Sequence, residues 1–216
     1  MAMRFVADES AKAATGAARS LFDCVQRMGE QASNAVLEVL GDSREMVQER
    51  RYPRSPLLFA EGRWRAYYHS HALAAAATRE HGHFHIFVAD GADEGQDAWI
   101  HLAALAMDLE GQPLRWLVTN RWVTSGPWGQ RDTLMAEIDR LQASAGDALL
   151  VQWLVAMIRL YRDDIAVLLD ARDDSLGKAM HNARMEQVLA DRSLYELADT
   201  PIDLLHRLQR QLSGAD

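Results

Sequence analysis

Between residues 64 and 118 the chain carries four short runs rich in aromatic and branched side chains, and they constrain the fold more than any other feature. The runs are WRAYYHSH, HGHFHIFV, AWIHLAALAMD and PLRWLVT, and Gly, Asp or Pro residues separate them. Composition and spacing of this kind are typical of β-strands joined by turns. They predict a small antiparallel sheet of about four strands.

Segments with helical spacing flank the predicted sheet on both sides. Apolar residues recur three and four positions apart before the sheet and again after it. The predicted helices span residues 9–29, 31–40, 131–143, 147–170, 174–190 and 201–212. The order of helices, strands and helices predicts an α+β fold with helices packed on one face of the sheet.

Prolines set two of the expected boundaries. Pro53 and Pro56 push the residues before them towards extended geometry, so residues 50–57 are predicted to form a linker into the sheet. Thr200 and Pro201 are a cap followed by a proline, a pair typical of a helix start. The length suits a single domain, 1–216, with N-terminal helices at 9–40, the sheet at 64–118 and C-terminal helices at 131–212.

Charge and composition exclude several classes of protein. A net charge of -8 argues against a nucleic-acid partner, because phosphate binding needs a clustered positive field. A single cysteine rules out an intrachain disulfide and favours a reducing cytoplasm. The N-terminal residues lack the apolar stretch of a signal peptide, and the longest apolar run, 148–158, is too short to span a bilayer. We therefore expect a cytoplasmic protein without membrane association.

Histidines are concentrated in the predicted sheet. Six of the eight lie within 33 residues, all at odd positions: His69, His71, His81, His83, His85 and His101. Strand residues of one parity share a face. A first hairpin turning about Ala76 sets His69 opposite His83 and His71 opposite His81, and a second turning about Asp93 sets His85 opposite His101. These registers carry all six imidazoles to one side of the sheet.

Even-numbered positions of the same strands are apolar, which suits a face covered by helices. The members of this predicted core face are Ala66, Tyr68, Phe84, Ile86, Val88, Ile100, Leu102, Ala104 and Ala106. A sheet with one apolar face and one imidazole-lined face indicates a functional site on the second.

Geometry limits which histidines can share one metal ion. Positions 81 and 85 lie roughly 13 Å apart on one strand, whereas positions two apart or directly opposed can converge. The compact set of predicted metal ligands is His69, His83, His85 and His101. Neutral imidazoles bind zinc, copper and iron alike, so the metal stays open among these three.

Other residues of the sheet are candidates for catalysis. His71 and His81, at the edge of the cluster, are predicted to move protons beside the metal. Tyr67 shares the histidine parity and is expected opposite His85, where it could donate a proton. Glu80 has the other parity, and a bulge would be needed to bring it to the site.

A loop after the fourth strand is a candidate substrate-binding element. Arg121 is a predicted anchor for an anionic group, and Trp122 and Trp128 offer aromatic surfaces for a small-molecule substrate. An alternative of equal standing is that the two indoles pin a crossover to the core.

Three functional hypotheses follow. The leading one is a metal-dependent enzyme of hydrolytic or oxidative chemistry with an open coordination position. A non-catalytic metal-binding or partner protein with a filled coordination shell is the second. The third starts from the segment 81–87, which resembles the histidine-triad signature of nucleotide hydrolases and transferases, with Gly82 departing from it. That resemblance implies His83 as nucleophile, supported by His81 and His85.

The combination of YYHSH, EHGHFHIF and TNRWVT resembles an uncharacterised bacterial family, a domain of unknown function of about this length. The similarity spans most of the chain. It implies no activity, so the functional expectations depend on the residues themselves.

Overall fold

A computed structural model describes residues 2–43, 46–70, 79–91, 99–181 and 183–213. The strands are β1 (Tyr52–Phe59), β2 (Trp64–Ser70), β3 (Glu80–Ala89), β4 (Trp99–Asp108), β5 (Pro113–Thr119) and β6 (Glu196–Pro201). The helices are α1 (Ala2–Glu30), α2 (Ala35–Leu40), α3 (Arg121–Thr124), α4 (Arg131–Arg140), α5 (Leu149–Leu160), α6 (Arg162–Ala179), α7 (Met185–Ala190) and α8 (Leu204–Ser213). The α+β fold and the antiparallel sheet are thereby confirmed, but the sheet has six strands rather than about four.

The sheet is a meander in the order β1-β2-β3-β4-β5-β6. Strand β1 occupies most of the segment that was predicted to be a linker, so that prediction is wrong. Pro53 and Pro56 are compatible with β1 because it is an edge strand, where one side of the backbone needs no ladder partner. The register of β1 on β2 also shifts between Tyr52 and Leu57.

Strand β6 returns from the C-terminal region to the opposite edge of the sheet. It pairs with β5, with Arg115 opposite Pro201 and Leu117 opposite Asp199. Pro201 therefore ends a strand, and the prediction that it begins a helix is wrong. The last helix starts at Leu204, where the Asp203 carboxylate accepts a hydrogen bond from the His206 amide at 2.9 Å.

The helical regions are found where the spacing predicts them, with different boundaries. The predicted helix 147–170 is two helices, because the helical conformation is interrupted at Tyr161, between α5 and α6. The predicted helix 174–190 falls partly in α6 and partly in α7. The four-residue helix α3 was not predicted.

Helices cover one face of the sheet. Buried residues of α1, α2, α4, α5 and α6 form one cluster with the apolar face of β2 and β3. That cluster includes seven of the nine predicted core-face residues: Ala66, Tyr68, Phe84, Ile86, Val88, Ile100 and Leu102. None of the helices in the described part of the chain has the length and apolar character that crossing a bilayer requires.

A β-bulge in β4 moves the remaining two predicted core residues to the other face. His101 pairs with Phe87, but the next pair joins Ala103 to Ile86, so Leu102 is the extra residue. Beyond the bulge the alternation is inverted, and Ala104 lies opposite His85. Ala104 and Ala106 accordingly pack in a separate small cluster with Leu117. Their prediction as helix-facing residues is wrong.

Candidate metal centre

Strands β2 and β3 bring the central histidines together. His69 pairs with His83 and Tyr67 pairs with His85, which confirms the register predicted for the first hairpin. The alternation of each strand then places these four side chains on the face that the helical core does not occupy. The local sequence is sufficient for this step because one hairpin joins two strands of fixed period.

Ring nitrogens of three histidines converge. One nitrogen each from His69, His83 and His85 lies within 4.8 Å of the other two. The Nε2 atoms of His69 and His85 are 3.0 Å apart. His83 and His85 are buried, and His69 is half-buried at the edge of the group. Three imidazoles whose nitrogens converge in this way form a donor set of the kind that a transition metal binds.

His101 contacts the cluster from behind. Its Nε2 lies 3.1 Å from Nδ1 of His85, on the opposite side of that ring from His69. The bulge in β4 sets His101 opposite Phe87, so the predicted pairing with His85 is wrong although the two rings meet. Its role as a metal ligand stays a prediction, because its contact is to a ring nitrogen that faces away from the convergence point.

Burial keeps the His101 imidazole neutral. Desolvation lowers its pKa to about 3, and the nearby charges of Arg172 and His83 act in the same direction. A neutral imidazole has one N–H donor and one acceptor nitrogen. His101 can therefore hold the His85 ring in a fixed orientation without adding charge.

Glu80 reaches the site through a second bulge. The register of β3 on β4 shifts between Glu80 and Gly82. This shift is the bulge that Glu80 needs to reach the imidazole face from an even-numbered position. Its carboxylate Oε1 is hydrogen-bonded to Nε2 of His83, and its Oε2 accepts from Nε of Arg115 at 3.1 Å. Burial alone would raise the pKa of Glu80, but the hydrogen bond and charge of His83 and the Arg115 guanidinium lower it. The group beside His83 is therefore a carboxylate.

The bulge takes His81 away from the other histidines. Its Nδ1 lies 2.9 Å from the hydroxyl of Tyr68, whose ring belongs to the helix-facing core. The prediction that every clustered histidine shares one face is wrong for His81. His71 lies outside the described residues. A catalytic role for either histidine stays a prediction.

Gly82 is the reason that the two strands approach closely here. A Cβ at this position would lie 2.3 Å from the carbonyl oxygen of His69 and 2.7 Å from the Tyr68 hydroxyl. The departure of this segment from the histidine-triad pattern is thus a packing requirement. With His81 bonded to Tyr68, His83 also lacks the pair of flanking histidines on which that hypothesis depends.

Tyr67 forms one wall of the centre. Its ring stacks on His85 at 5.4 Å between centroids and meets His69 edge-on at 6.0 Å. The guanidinium of Arg51 lies over the Tyr67 ring, 4.5 Å from its centroid. Burial raises the pKa of Tyr67 against the opposing charges of Arg51 and Arg65, so its hydroxyl keeps its proton.

The three predicted substrate-binding residues have structural contacts of their own. Arg121 pairs with the Glu186 carboxylate at 2.5 Å, and the Trp122 indole donates to the Leu194 carbonyl at 2.9 Å. Trp128 packs under the Arg172 guanidinium, 4.5 Å from its ring centroid. These contacts support the alternative that the two indoles anchor the connection after β5 to the rest of the fold. A role of the three residues in substrate binding stays a prediction.

Two cavities border this loop. Arg121 and Trp122 line an open cavity of about 490 Å³, which is large enough for a small molecule. A second cavity joins His101 to Arg121 and Trp128, but its volume of about 10 Å³ has room for no more than a water molecule. Among the described residues, this second cavity is therefore too narrow to let a substrate pass from the loop to the imidazoles.

Arg115 is a site residue that the sequence reasoning missed. It lies on β5, opposite Ala106, and so shares the face of the histidines. Its odd position within the run PLRWLVT was an available signal, but the register of β5 on β4 is set by another shift, between Ala106 and Met107. Without that register its distance from Glu80 cannot be inferred.

Comparison with known proteins places the chain in a family. A family model described as a domain of unknown function, DUF6969, matches residues 15–202 and so spans all six strands. Comparison with the curated proteins and with the solved structures gave no match. The match extends over most of the chain, and the protein therefore belongs to the DUF6969 family.

Proposed function

We propose that this chain is a metal-dependent enzyme that acts on a small molecule and holds one transition-metal ion through His69, His83 and His85. The observation that carries the proposal is the convergence of three imidazole nitrogens within 4.8 Å. Zinc is the metal that this donor set favours, and hydrolysis or hydration is the corresponding chemistry.

The spacing of the donors suits an ion. Two nitrogens bound at 2.0–2.1 Å to a tetrahedral ion are separated by about 3.3 Å. The Nε2 atoms of His69 and His85 are 3.0 Å apart, so a small outward movement of the two rings would accommodate the ion. Both rings come from neighbouring strands of a continuous sheet, which limits how far they can separate.

The partners of the ligands support the same assignment. Ligating histidines usually give their second ring nitrogen to a carboxylate or another acceptor, which orients the ring. His83 has Glu80 in this position, and His85 has His101. With its Nε2–H donated to Glu80, His83 carries its lone pair on Nδ1, the nitrogen we assign to the metal.

The chemical character of the group favours zinc over a non-haem iron site. Among the residues that the structure describes, the metal-holding group contains histidines alone, whereas the iron facial triad needs a carboxylate ligand. Three neutral ligands leave the charge of the ion undiminished and the fourth position open. A bound zinc ion would supply a Lewis acid that acidifies water at that position to a pKa near 7.

The chain's own residues would shape the reaction. Tyr67 keeps a protonated hydroxyl and stacks against a ligand ring, so it is the proposed proton donor on the β2 side. Buried alanines of β4 lie opposite His83 and His85, and their small side chains leave the imidazole nitrogens unobstructed from that strand. The substrate itself is proposed to be a small molecule.

Metal analysis tests the proposal directly. The purified protein should contain one equivalent of zinc per chain, and apo protein should take up one equivalent of Co²⁺ with a tetrahedral visible spectrum. His83→Ala should abolish this uptake, whereas His206→Ala, at an exposed position in α8, should leave it unchanged. Equal metal content in the two variants would refute the site.

Azide addition separates an enzyme from a structural metal protein. An open fourth position predicts that azide shifts the visible spectrum of the cobalt-substituted protein in a saturable manner. A spectrum that azide leaves unchanged would indicate four protein ligands, and the proposal of catalysis would then fail while metal binding stood.

A further inference from the structure

The guanidinium of Arg115 lies at the centre of a carboxylate cluster that adjoins the metal centre. It donates to Glu80 at 3.1 Å and to Glu196 at 2.7 Å, and Asp199 lies 3.6 Å away. About a quarter of the Arg115 side chain is exposed, so these contacts are partly shielded from solvent. Burial alone would lower the pKa of Arg115, but Glu196 and Glu80 raise it, and the group is a permanent cation.

Glu80 needs a partner of this kind to stay at His83. It is the first residue of β3, and it reaches the imidazole face only because of the bulge that follows it. A carboxylate at a strand end, 19% exposed, would otherwise have solvent as an alternative to His83. The two-sided contact, with one oxygen on His83 and the other on Arg115, fixes the orientation of the carboxylate.

Strand β6 supplies the other half of the arrangement. Glu196 is its first residue and lies opposite Thr119, at the point where the register of β5 on β6 shifts. Glu196 and Asp199 attract the Arg115 guanidinium from the side away from the imidazoles. The orientation of Arg115 towards Glu80 therefore depends on the docking of a strand from the C-terminal region.

We infer that Arg115 is a positioning residue: by bridging Glu80 on β3 to Glu196 on β6, it fixes the carboxylate that orients His83 and couples metal binding to the docking of β6. The inference rests on the proposed metal site. Coupling of two events is reciprocal, so metal binding should stabilise β6 to the same extent as docked β6 strengthens metal binding.

The sign of the effect distinguishes positioning from plain electrostatics. Arg115 is a cation, and by Coulomb repulsion alone its removal would strengthen the binding of a divalent cation nearby. Loss of a partner that orients a ligand instead weakens metal binding, by about 10- to 100-fold. The two explanations predict opposite changes in the dissociation constant for zinc.

The test measures zinc binding to the whole chain by competition with a chromophoric chelator. Arg115→Met should weaken zinc binding 10- to 100-fold, and Arg115→Lys should recover part of the loss. The matched control is Arg79→Met, which removes an ion pair of 2.8 Å to Asp108 at the same end of β3. The Arg79 guanidinium pairs with Asp108 rather than with the Glu80 carboxylate, so its variant should bind zinc within threefold of the native chain.

Hydrogen exchange reports the coupling to β6. Zinc should slow amide exchange in residues 196–200 of the native protein, and this protection should be lost in Arg115→Met while α5 is unaffected. If Arg115→Met fails to fold, Glu196→Gln removes the nearer of the two β6 carboxylates, at a half-exposed position. Asp199 remains 3.6 Å from Arg115, so zinc affinity and β6 protection should fall in the same direction but by less.

The possible outcomes separate the two proposals. A native chain that binds no zinc would refute the proposed function. Native zinc binding with equal or tighter binding in Arg115→Met, or with no change in β6 exchange, would leave the metal site standing and overturn the role of Arg115.

Discussion

Substitution of Gly82 by alanine should destabilise the protein strongly, because there is no room for a methyl group at this point of the sheet. A Cβ would lie 2.3 Å from the His69 carbonyl oxygen, 2.7 Å from the Tyr68 hydroxyl and 2.9 Å from the Cα of Ser70. Two of these three atoms belong to the backbone of β2. Relief therefore requires β2 and β3 to separate rather than one side chain to rotate.

The expected cost follows from that separation. Overpacking of a well-packed core typically costs about 1–3 kcal/mol, and a contact with backbone belongs at the upper end of this range. We expect Gly82→Ala to lower the free energy of unfolding by about 3 kcal/mol. For a chain of this size the change corresponds to a fall in Tm of roughly 6–12 °C. The weakened β2–β3 pairing should also spread the ligands and reduce zinc affinity.

The same substitution at Gly177 is a control of opposite sign. Gly177 lies within α6, is exposed, and has no atom within 4 Å of the position its Cβ would occupy. Gly177→Ala should raise stability by about 0.5–1 kcal/mol, because alanine loses less backbone entropy in a helix. Urea unfolding with chelator present, followed by circular dichroism, measures both variants. A Gly82→Ala protein within 0.5 kcal/mol of the native chain would refute the reasoning.

Two further predictions concern buried polar side chains. Burial holds the pKa of His101 at about 3, against a reference value of 6.5. The unfolded chain therefore takes up this proton first as pH falls, and the free energy of unfolding should drop by about 2 kcal/mol between pH 7 and pH 5. Urea unfolding of the metal-free protein at several pH values measures this loss of stability. The His101→Leu variant should not show the loss, so parallel pH profiles for the native protein and the variant would contradict the prediction. Asn120 is fully buried, donates to the Val188 carbonyl at 2.8 Å and accepts from the Arg121 amide at 2.8 Å. Asn120→Ala should cost about 1–3 kcal/mol in the same assay, and an unchanged midpoint would show that water replaces both bonds.

The strands of the central meander were predictable because their signal is local. Each run alternates between two faces, and a single hairpin between β2 and β3 is enough to set His69 opposite His83 and Tyr67 opposite His85. The convergence of the three ligands therefore follows from the period of the two strands and from their register. Membership of an uncharacterised family was also predictable from the sequence, and the family model confirms it.

The edges of the sheet were not predictable in the same way. Strand β1 contains two prolines, which argue against a strand until its position at an edge is known. Strand β6 is six residues long and pairs with a strand about eighty residues earlier. Its hydrogen bonds go to β5, so its extended conformation is decided by a partner that sequence periodicity does not identify.

The sequence by itself determined which residues face the imidazole side along β2 and along β3 after Gly82, because a period of two is a property of the strand alone. Tertiary structure decided the rest of the site through bulges, which invert the alternation at a single residue. One bulge sends His81 to Tyr68 and brings Glu80 to His83, and another shifts His101 and turns Ala104 towards the imidazoles. A bulge forms where packing against a neighbouring strand outweighs the loss of one ladder pair, and that balance exists only in the assembled sheet.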